Sequence, residues 1–282
     1  VESLSIRNRM PQIEVAVGDC QQPPRHPLAL VFRTLLPLTG KDRNRLIAFG
    51  REHGAEIWQQ PGGPDTAHLL CDAQGRTDGT SALAYELPEF SIRIPFGPTD
   101  FTQVNAGINR QLLSRAVQML DPRPEHRVVD LFCGLGNFTL PLATRARQVV
   151  GVEGVKALVE RGRQNALANR HALLAPPGKE GVQFRVANLF EFNRAAWQAL
   201  GRVDRLLIDP PRDGALAVAR VLAALPPEQR PARMVYVSCN PATLARDLGL
   251  MVNEGKWRVR MAGVANMFPH TAHVESIALL EA

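Results

Sequence analysis

The sequence of 282 residues predicts an α/β protein: a doubly wound, mainly parallel sheet ending in an antiparallel hairpin, preceded by a small, mostly antiparallel α+β domain. Three observations carry this reading. From Arg127 onward, apolar strand-like runs alternate with helical patterns, the rhythm of βαβ units with right-handed crossovers. The last two strand-like runs follow one another with no helix between them. Before about Gly97, short strand-like runs are separated mainly by turn material. The domains are accordingly placed at 1–97 and 98–282.

In the first domain, Leu4 to Arg9, Ile13 to Val17 and Leu28 to Leu35 read as strands, with Gly18-Asp19 and Gln21 to Pro27 as turns. A helix follows, capped by Thr39 or Asp42, with Leu46, Ile47, Phe49 and Gly50 near helical spacing, and His53-Gly54 ends it. Ala55 to Gln59, His68 to Asp72 and Ser81 to Phe96 return to strand alternation around the loop Gln60 to Pro64. No catalytic constellation stands here. The segment reads as a scaffold or substrate-holding domain, and Trp58, His53 and His68 as packing or surface residues.

In the second domain, strands are expected over Arg127 to Phe132, Gln148 to Glu153, Val182 to Ala187, Arg205 to Asp209 and Arg233 to Cys239. Helices are expected over Phe138 to Arg145, Val155 to Arg170, Glu191 to Leu200, Gly214 to Leu225 and Ala242 to Glu254. Trp257 to Val264 and Glu275 to Leu280 form the closing hairpin.

Composition narrows the class. With 45% hydrophobic residues and no run of about 18 apolar residues, the chain reads as a globular protein without a membrane span. The N-terminus lacks a basic-then-apolar leader, so a cytoplasmic location is expected. Because the first residue is Val1, the chain reads as a fragment or a processed form. Net charge +6 suits a polyanionic partner, although the arginines are scattered rather than packed into one block. Cys20, Cys71, Cys133 and Cys239 are widely spaced, with no C-x-x-C pair, which argues against a metal site or a disulfide framework.

The chemistry concentrates at four strand ends. The first strand runs into Asp130-Leu131-Phe132-Cys133-Gly134-Leu135-Gly136-Asn137-Phe138, whose glycine turn lets a ligand approach the backbone and meet a helix N-terminus. Glu153 at the end of the second strand has the place of an acid that holds two ribose hydroxyls. Such a ligand is NAD or S-adenosylmethionine; Thr139, where a third glycine of G-x-G-x-x-G would stand, leans away from the dinucleotide. A tight turn with a surface Glu is the bland alternative. Asp209-Pro210-Pro211-Arg212 closes the fourth strand with a stiff turn. The fifth ends in Ser238-Cys239-Asn240-Pro241. A lone cysteine is more often a small buried hydrophobe, but at a strand's carboxyl end beside the other three motifs it reads as a nucleophile.

Together with Phe101-Thr102-Gln103-Val104-Asn105 and the segment Met267 to Glu275, these motifs resemble the S-adenosylmethionine-dependent RNA uracil-C5 methyltransferases, and within them the branch that modifies 23S ribosomal RNA. The resemblance is specific over the second domain and looser over the first. It implies a Rossmann-like class I methyltransferase fold, S-adenosylmethionine as cofactor, and 23S ribosomal RNA as partner, with no role for DNA or membrane and a monomer expected. It places Gln103, Phe132, Gly134, Gly136, Asn137, Glu153, Asn188 and Asp209 around the cofactor, with Glu153 on the ribose and Asn188 by the adenine. It implies Cys239 as nucleophile and Glu275 as base. Gln103 and Arg212 are expected at the flipped nucleotide, and His270 and His273 as loop-shaping residues. A nucleophilic thiol requires a lowered pKa, which the helix opening after Asn240-Pro241 is positioned to supply.

This chain departs from the pattern at its front. The resembled enzymes carry an N-terminal TRAM domain and a four-cysteine iron–sulfur cluster, and neither the domain nor the cluster's cysteine spacing is present here. A truncated enzyme and a cluster-free homologue both remain open. So do a transfer RNA or other RNA-base methyltransferase, which includes one acting on an exocyclic amine, and a non-catalytic RNA-binding module of the same fold.

Overall fold

The structure, a computed structural model, describes residues 1–271 and 273–282; Ala272, within the Met267 to Glu275 segment, lies outside the described residues. Contacts divide the chain into two units, Val1–Glu86 with Arg93–Thr102, and Leu87–Ile92 with Gln103–Ala282.

The first unit is built on strands β1 (Gln12–Val17), β2 (Leu28–Arg33), β3 (Ala55–Gln60) and β4 (His68–Cys71), paired in that order, with helix α1 (Gly40–His53) between β2 and β3. Crossing over through α1 makes β2 and β3 parallel, whereas β1 with β2 and β3 with β4 are antiparallel. Thr39 and Asp42 form a reciprocal capping box, and Gly54 ends the helix in the left-handed region. At Gly50 the helix approaches β3 so closely that a Cβ would sit 2.6 Å from the Ile57 side chain. Leu4, Phe32, Leu46, Ile57, Leu70 and Cys71 make the core.

The expected strand Leu4 to Arg9 is not one. Ser5 donates both its N–H and its hydroxyl to Asp42, and the segment is turns and a single 3-10 turn over Arg7–Arg9. Leu4 and Ile6 are buried as the alternation suggested, by this clip rather than by a sheet. The expected run Ser81 to Phe96 is also broken: β5 (Ala84–Leu87) and β6 (Ile92–Pro95) pair with each other across a 3-10 turn at Pro88–Phe90.

The second unit opens with a helix that the sequence reading passed over, α2 (Ala106–Leu120). Asn105 caps it by accepting from the Ile108 N–H, and Leu112, Leu113, Ala116, Val117 and Leu120 form its buried stripe. Then follow β7 (Arg127–Leu131), α3 (Thr139–Ala143), β8 (Gln148–Glu153), α4 (Lys156–Ala168), β9 (Val182–Val186), α5 (Arg194–Leu200) and β10 (Arg205–Ile208). The chain closes with α6 (Leu216–Ala223), β11 (Arg233–Ser238), α7 (Pro241–Asn253), β12 (Arg258–Ala265) and β13 (Glu275–Glu281).

The sheet order is β12-β13-β11-β10-β7-β8-β9. β7 to β11 run parallel to one another, and β13 runs antiparallel to both β11 and β12. This is the expected doubly wound sheet with a terminal hairpin. Its central strands are buried along nearly their whole length, as strands covered on both faces must be. The chain winds outward from β7 through β9 and then returns to β10 on the other side of β7. The switch point therefore lies above the carboxyl ends of β7 and β10. At one edge, β12 is exposed along all but its last residue, and the pairing shifts between Val259 and Met261, which leaves Arg260 outside the ladder. No helix among the described residues is long and apolar enough to cross a membrane.

Candidate active site

The glycine turn leaves β7 under backbone constraint. Phe132, Gly134 and Gly136 all take positive φ, at 65°, 53° and 102°, so a non-glycine residue holds a left-handed conformation at the mouth of the crevice. A Cβ on Gly134 would meet nothing within 4 Å, whereas one on Gly136 would press on Phe184 and Leu140 at 3.2 and 3.3 Å. Gly134 thus borders open space and Gly136 a packed wall. The Glu153 carboxylate at the end of β8 accepts from the N–H groups of Gly134 and Val155 at 3.2 and 3.0 Å, tying the two strand ends together. Asn137 and Asn109 exchange side-chain hydrogen bonds at 3.1 and 3.2 Å, which fixes the start of α2 against the same turn.

Asn188, just past β9, is exposed and its side-chain oxygen accepts from the Phe190 N–H. The Phe190 ring stands edge-on to Phe132 at 5.8 Å, so an aromatic pair flanks the turn. Beneath it, buried Asp130 accepts from the Thr139 hydroxyl at 2.6 Å through one oxygen, and its other oxygen has no partner. Burial, with Glu153 adding to it against the Thr139 hydrogen bond, pushes the Asp130 carboxyl up to about 7. The side-chain oxygen of Gln103 is likewise buried and unpartnered. Two orphaned acceptors, an acid at the second strand end and open space over Gly134 fit a cationic, hydroxyl-bearing ligand such as S-adenosylmethionine.

On the other side of the switch point, β11 delivers Cys239 and β13 delivers Glu275. Ser238 pairs with Ser276 across the antiparallel ladder, so the next step of that register sets Cys239 and Glu275 directly opposite each other at the same end of adjacent strands. Glu275 is buried, and desolvation raises its pKa. Asp209 closes β10 next door; desolvation and the charges of Glu275 and Asp130 raise it well above the usual carboxylate range. Cys239 is half-buried. Desolvation, then Glu275 and Asp209, raise its thiol, while Arg212 opposes them. The expectation of a lowered thiol pKa is therefore not met, because burial, reinforced by two carboxyl groups, outweighs the cation. Cys133, at the end of β7, is raised further by deep burial beside Asp130 and Glu153.

The loop after β10 is fastened to the helix that follows Cys239. The Arg212 carbonyl accepts from Asn240 and Thr243, the Asp213 carbonyl from Arg246, and the Ala215 N–H donates to Asp247 and to the Tyr236 hydroxyl. The exposed Arg212 guanidinium donates to His273 Nδ1 at 2.9 Å. His273, read from the sequence as loop-shaping, thus joins the site; His270 lies at φ 64° in the turn before it.

The second unit accordingly gathers Phe132, Gly134, Gly136, Asn137, Glu153, Asn188, Asp209, Cys239 and Glu275 at one end of the sheet, and Gln103 leads into α2. Sequence reading missed Asn109 and Phe190, and it gave Asp130, the first residue of the glycine-turn motif, no role of its own. Asn109 belongs to the overlooked helix, whose periodicity was visible, whereas nothing in the sequence marked Phe190. The four cysteines are free, and among the described residues no cluster of three or more His, Cys, Asp or Glu could hold a metal ion. The cysteines do not fit an iron–sulfur cluster.

Residues 91–282 match the family model described as tRNA (uracil-5-)-methyltransferase. The chain is similar, at 54% identity over 282 residues, to the 23S rRNA (uracil(1939)-C(5))-methyltransferase RlmD of Aromatoleum aromaticum, matching all of this chain and 60% of that protein. It is 54% identical over 281 residues to the corresponding RlmD of Bordetella bronchiseptica, covering 56% of it. The chain therefore spans a little over half the length of these curated relatives. Among solved structures it resembles the Pyrococcus abyssi tRNA (uracil-54, C5)-methyltransferase in complex with S-adenosyl-L-homocysteine, with TM-score 0.69 and 23% identity, over 94% of this chain and 58% of that one. That likeness is one of fold.

Proposed function

The chain belongs to the tRNA (uracil-5-)-methyltransferase family, and from that premise we propose that it methylates C5 of a uridine in 23S ribosomal RNA, in the cytoplasm, with S-adenosylmethionine as methyl donor. The 54% identity to two RlmD proteins supports ribosomal RNA as the substrate. The observation that carries the reaction type is the juxtaposition of Cys239 and Glu275, opposite each other across β11 and β13 at the end of the sheet that also carries the glycine turn.

When bound, S-adenosylmethionine supplies an electrophilic methyl group. Gln103, Phe132, Gly134, Gly136, Asn137, Glu153, Asn188 and Asp209 are the residues proposed to hold it: Glu153 by the ribose, Asn188 near the adenine, and the buried acceptors by its positive charge. Uracil C5 is a weak nucleophile. Cys239 as thiolate adds to C6, forming a C–S bond, and the C5–C6 π electrons move out to make C5 enolate-like. C5 would then receive the methyl group that the bound donor supplies, with the methyl–sulfonium bond breaking and its electron pair leaving on the neutral thioether. Glu275, made a stronger base by the desolvation that raises its pKa, then removes the C5 proton. The C–S bond breaks, the C5–C6 double bond returns, and the thiolate leaves. Arg212 and Gln103 are the residues proposed to meet the base, which must leave its stack to reach Cys239 at a cost lower in a loop than in a duplex. The first unit would hold the RNA.

RNA carrying 5-fluorouridine has no C5 proton to lose, so it should trap the protein covalently, with mass spectrometry locating the bond at Cys239. Cys239→Ala should form no adduct, and an adduct persisting in that variant would remove Cys239 as nucleophile. Glu275→Gln on ordinary RNA should accumulate a methylated covalent complex. Clean turnover by that variant would assign the base elsewhere.

A further inference from the structure

We propose that His273 is a positioning residue, which accepts the Arg212 guanidinium on its Nδ1 and so holds that cation toward the Cys239 thiolate. The proposal rests on Cys239 being the nucleophile and says how the fold prepares it.

The backbone around Arg212 is already fixed relative to Cys239. Its carbonyl accepts from Asn240, the residue after Cys239 and the cap of α7, at 3.1 Å, and from Thr243 at 3.2 Å. Arg246 holds the next carbonyl at 2.9 Å. Ala215 N–H is held at 2.7 Å by Asp247, itself buried and paired with Arg246 at 2.8 Å and Tyr236 at 2.7 Å. These bonds fix main chain only. A long exposed arginine side chain would otherwise sample many rotamers, and His273 takes its Nη2 at 2.9 Å from 61 residues away in sequence. The imidazole is itself steadied by the Phe268 ring, edge-on at 6.1 Å.

The charges around Cys239 explain why holding this cation matters. Glu275 on β13 and Asp209 at the end of β10 both disfavour a thiolate, and Arg212 is the cation that opposes them. A guanidinium keeps its charge at any working pH, so its influence is set by where it sits. Accepting from that cation requires an unprotonated Nδ1 on His273.

The test is alkylation of Cys239 by iodoacetamide between about pH 6 and pH 10, read by peptide mass spectrometry. It needs neither RNA nor methyl donor, so its outcome is independent of the methylation reading. His273→Ala should slow alkylation at pH 8 about three- to tenfold and move the pH profile upward, since a tenfold change in thiolate corresponds to one pH unit. His273→Asn, whose amide oxygen falls near the Nδ1 position, should restore the rate to within about twofold. Arg212→Gln should slow it at least as much, and adding His273→Ala in that background should change nothing more. Unaltered alkylation in His273→Ala, or an undiminished effect in the Arg212→Gln background, would overturn the proposal. If His273→Ala fails to melt cooperatively, His273→Gln against His273→Asn makes the same comparison: slower alkylation in the Gln variant supports the proposal, and equal rates reject it.

Discussion

Asp130 shows how one buried atom couples the site to stability. Its pKa of about 7 in the fold stands above the ordinary carboxyl value of 3.8, so the folded protein keeps a proton that the unfolded chain releases. The resulting stability is complete below about pH 4 and is lost as pH rises through 7, a difference of at most about 4 kcal/mol. Asp130→Asn stays neutral throughout. The melting temperature of wild type minus that of the variant should therefore fall from pH 5 to pH 8, and a constant offset would show that Asp130 does not titrate in this range. Two cysteines make a related contrast. Cys133 and Cys239 end strands two places apart in the sheet, yet Cys133 is 5% exposed while Cys239 remains half-buried. Position at a strand end was legible from sequence for both. Exposure was not, because it depends on which side chains from distant segments close over the thiol.

At the scale of elements, the glycine turn separates two roles that the letters alone do not distinguish. Gly134→Ala puts a methyl group into open space at φ 53°, at about 1–2 kcal/mol of backbone strain. It should lower affinity for S-adenosylmethionine at least about tenfold by calorimetry with a modest loss in melting temperature. Gly136→Ala, at φ 102° and pressed on Phe184, should destabilise by about 2–4 kcal/mol in chemical denaturation. The opposite ranking would place the ligand on the Gly136 side. The regular βα units of the second unit were legible because apolar runs and helical patterns alternate there without interruption. The segment Leu4 to Arg9 was misread because Leu4 and Ile6 are buried in alternation, and the bond that decides the outcome, Ser5 to Asp42, joins residues 37 apart. α2 carried a clear stripe, but one not tied to any motif.

For the whole molecule, the placement of β13 decides the chemistry. In an all-parallel sheet the first residue of a strand lies at the opposite end from the site; reversing β13 brings Glu275 to the end where Cys239 stands. Sequence showed the hairpin, while the insertion of β13 between β11 and β12 emerges only from the pairing. That arrangement also leaves β12 as a nearly fully exposed edge carrying Val259, Met261 and Val264. An open edge with such residues is a template for another strand. Arg260, displaced from the ladder and paired with Glu281 at 2.8 Å, interrupts that template with a charge and a kink. Arg260→Val should therefore produce concentration-dependent self-association by light scattering, with the wild type remaining dispersed under the same conditions. If the variant stays as dispersed as wild type, Arg260 is not what guards the edge. The residue left out of register is thus a guard against the protein's own copies, serving colloidal stability rather than catalysis.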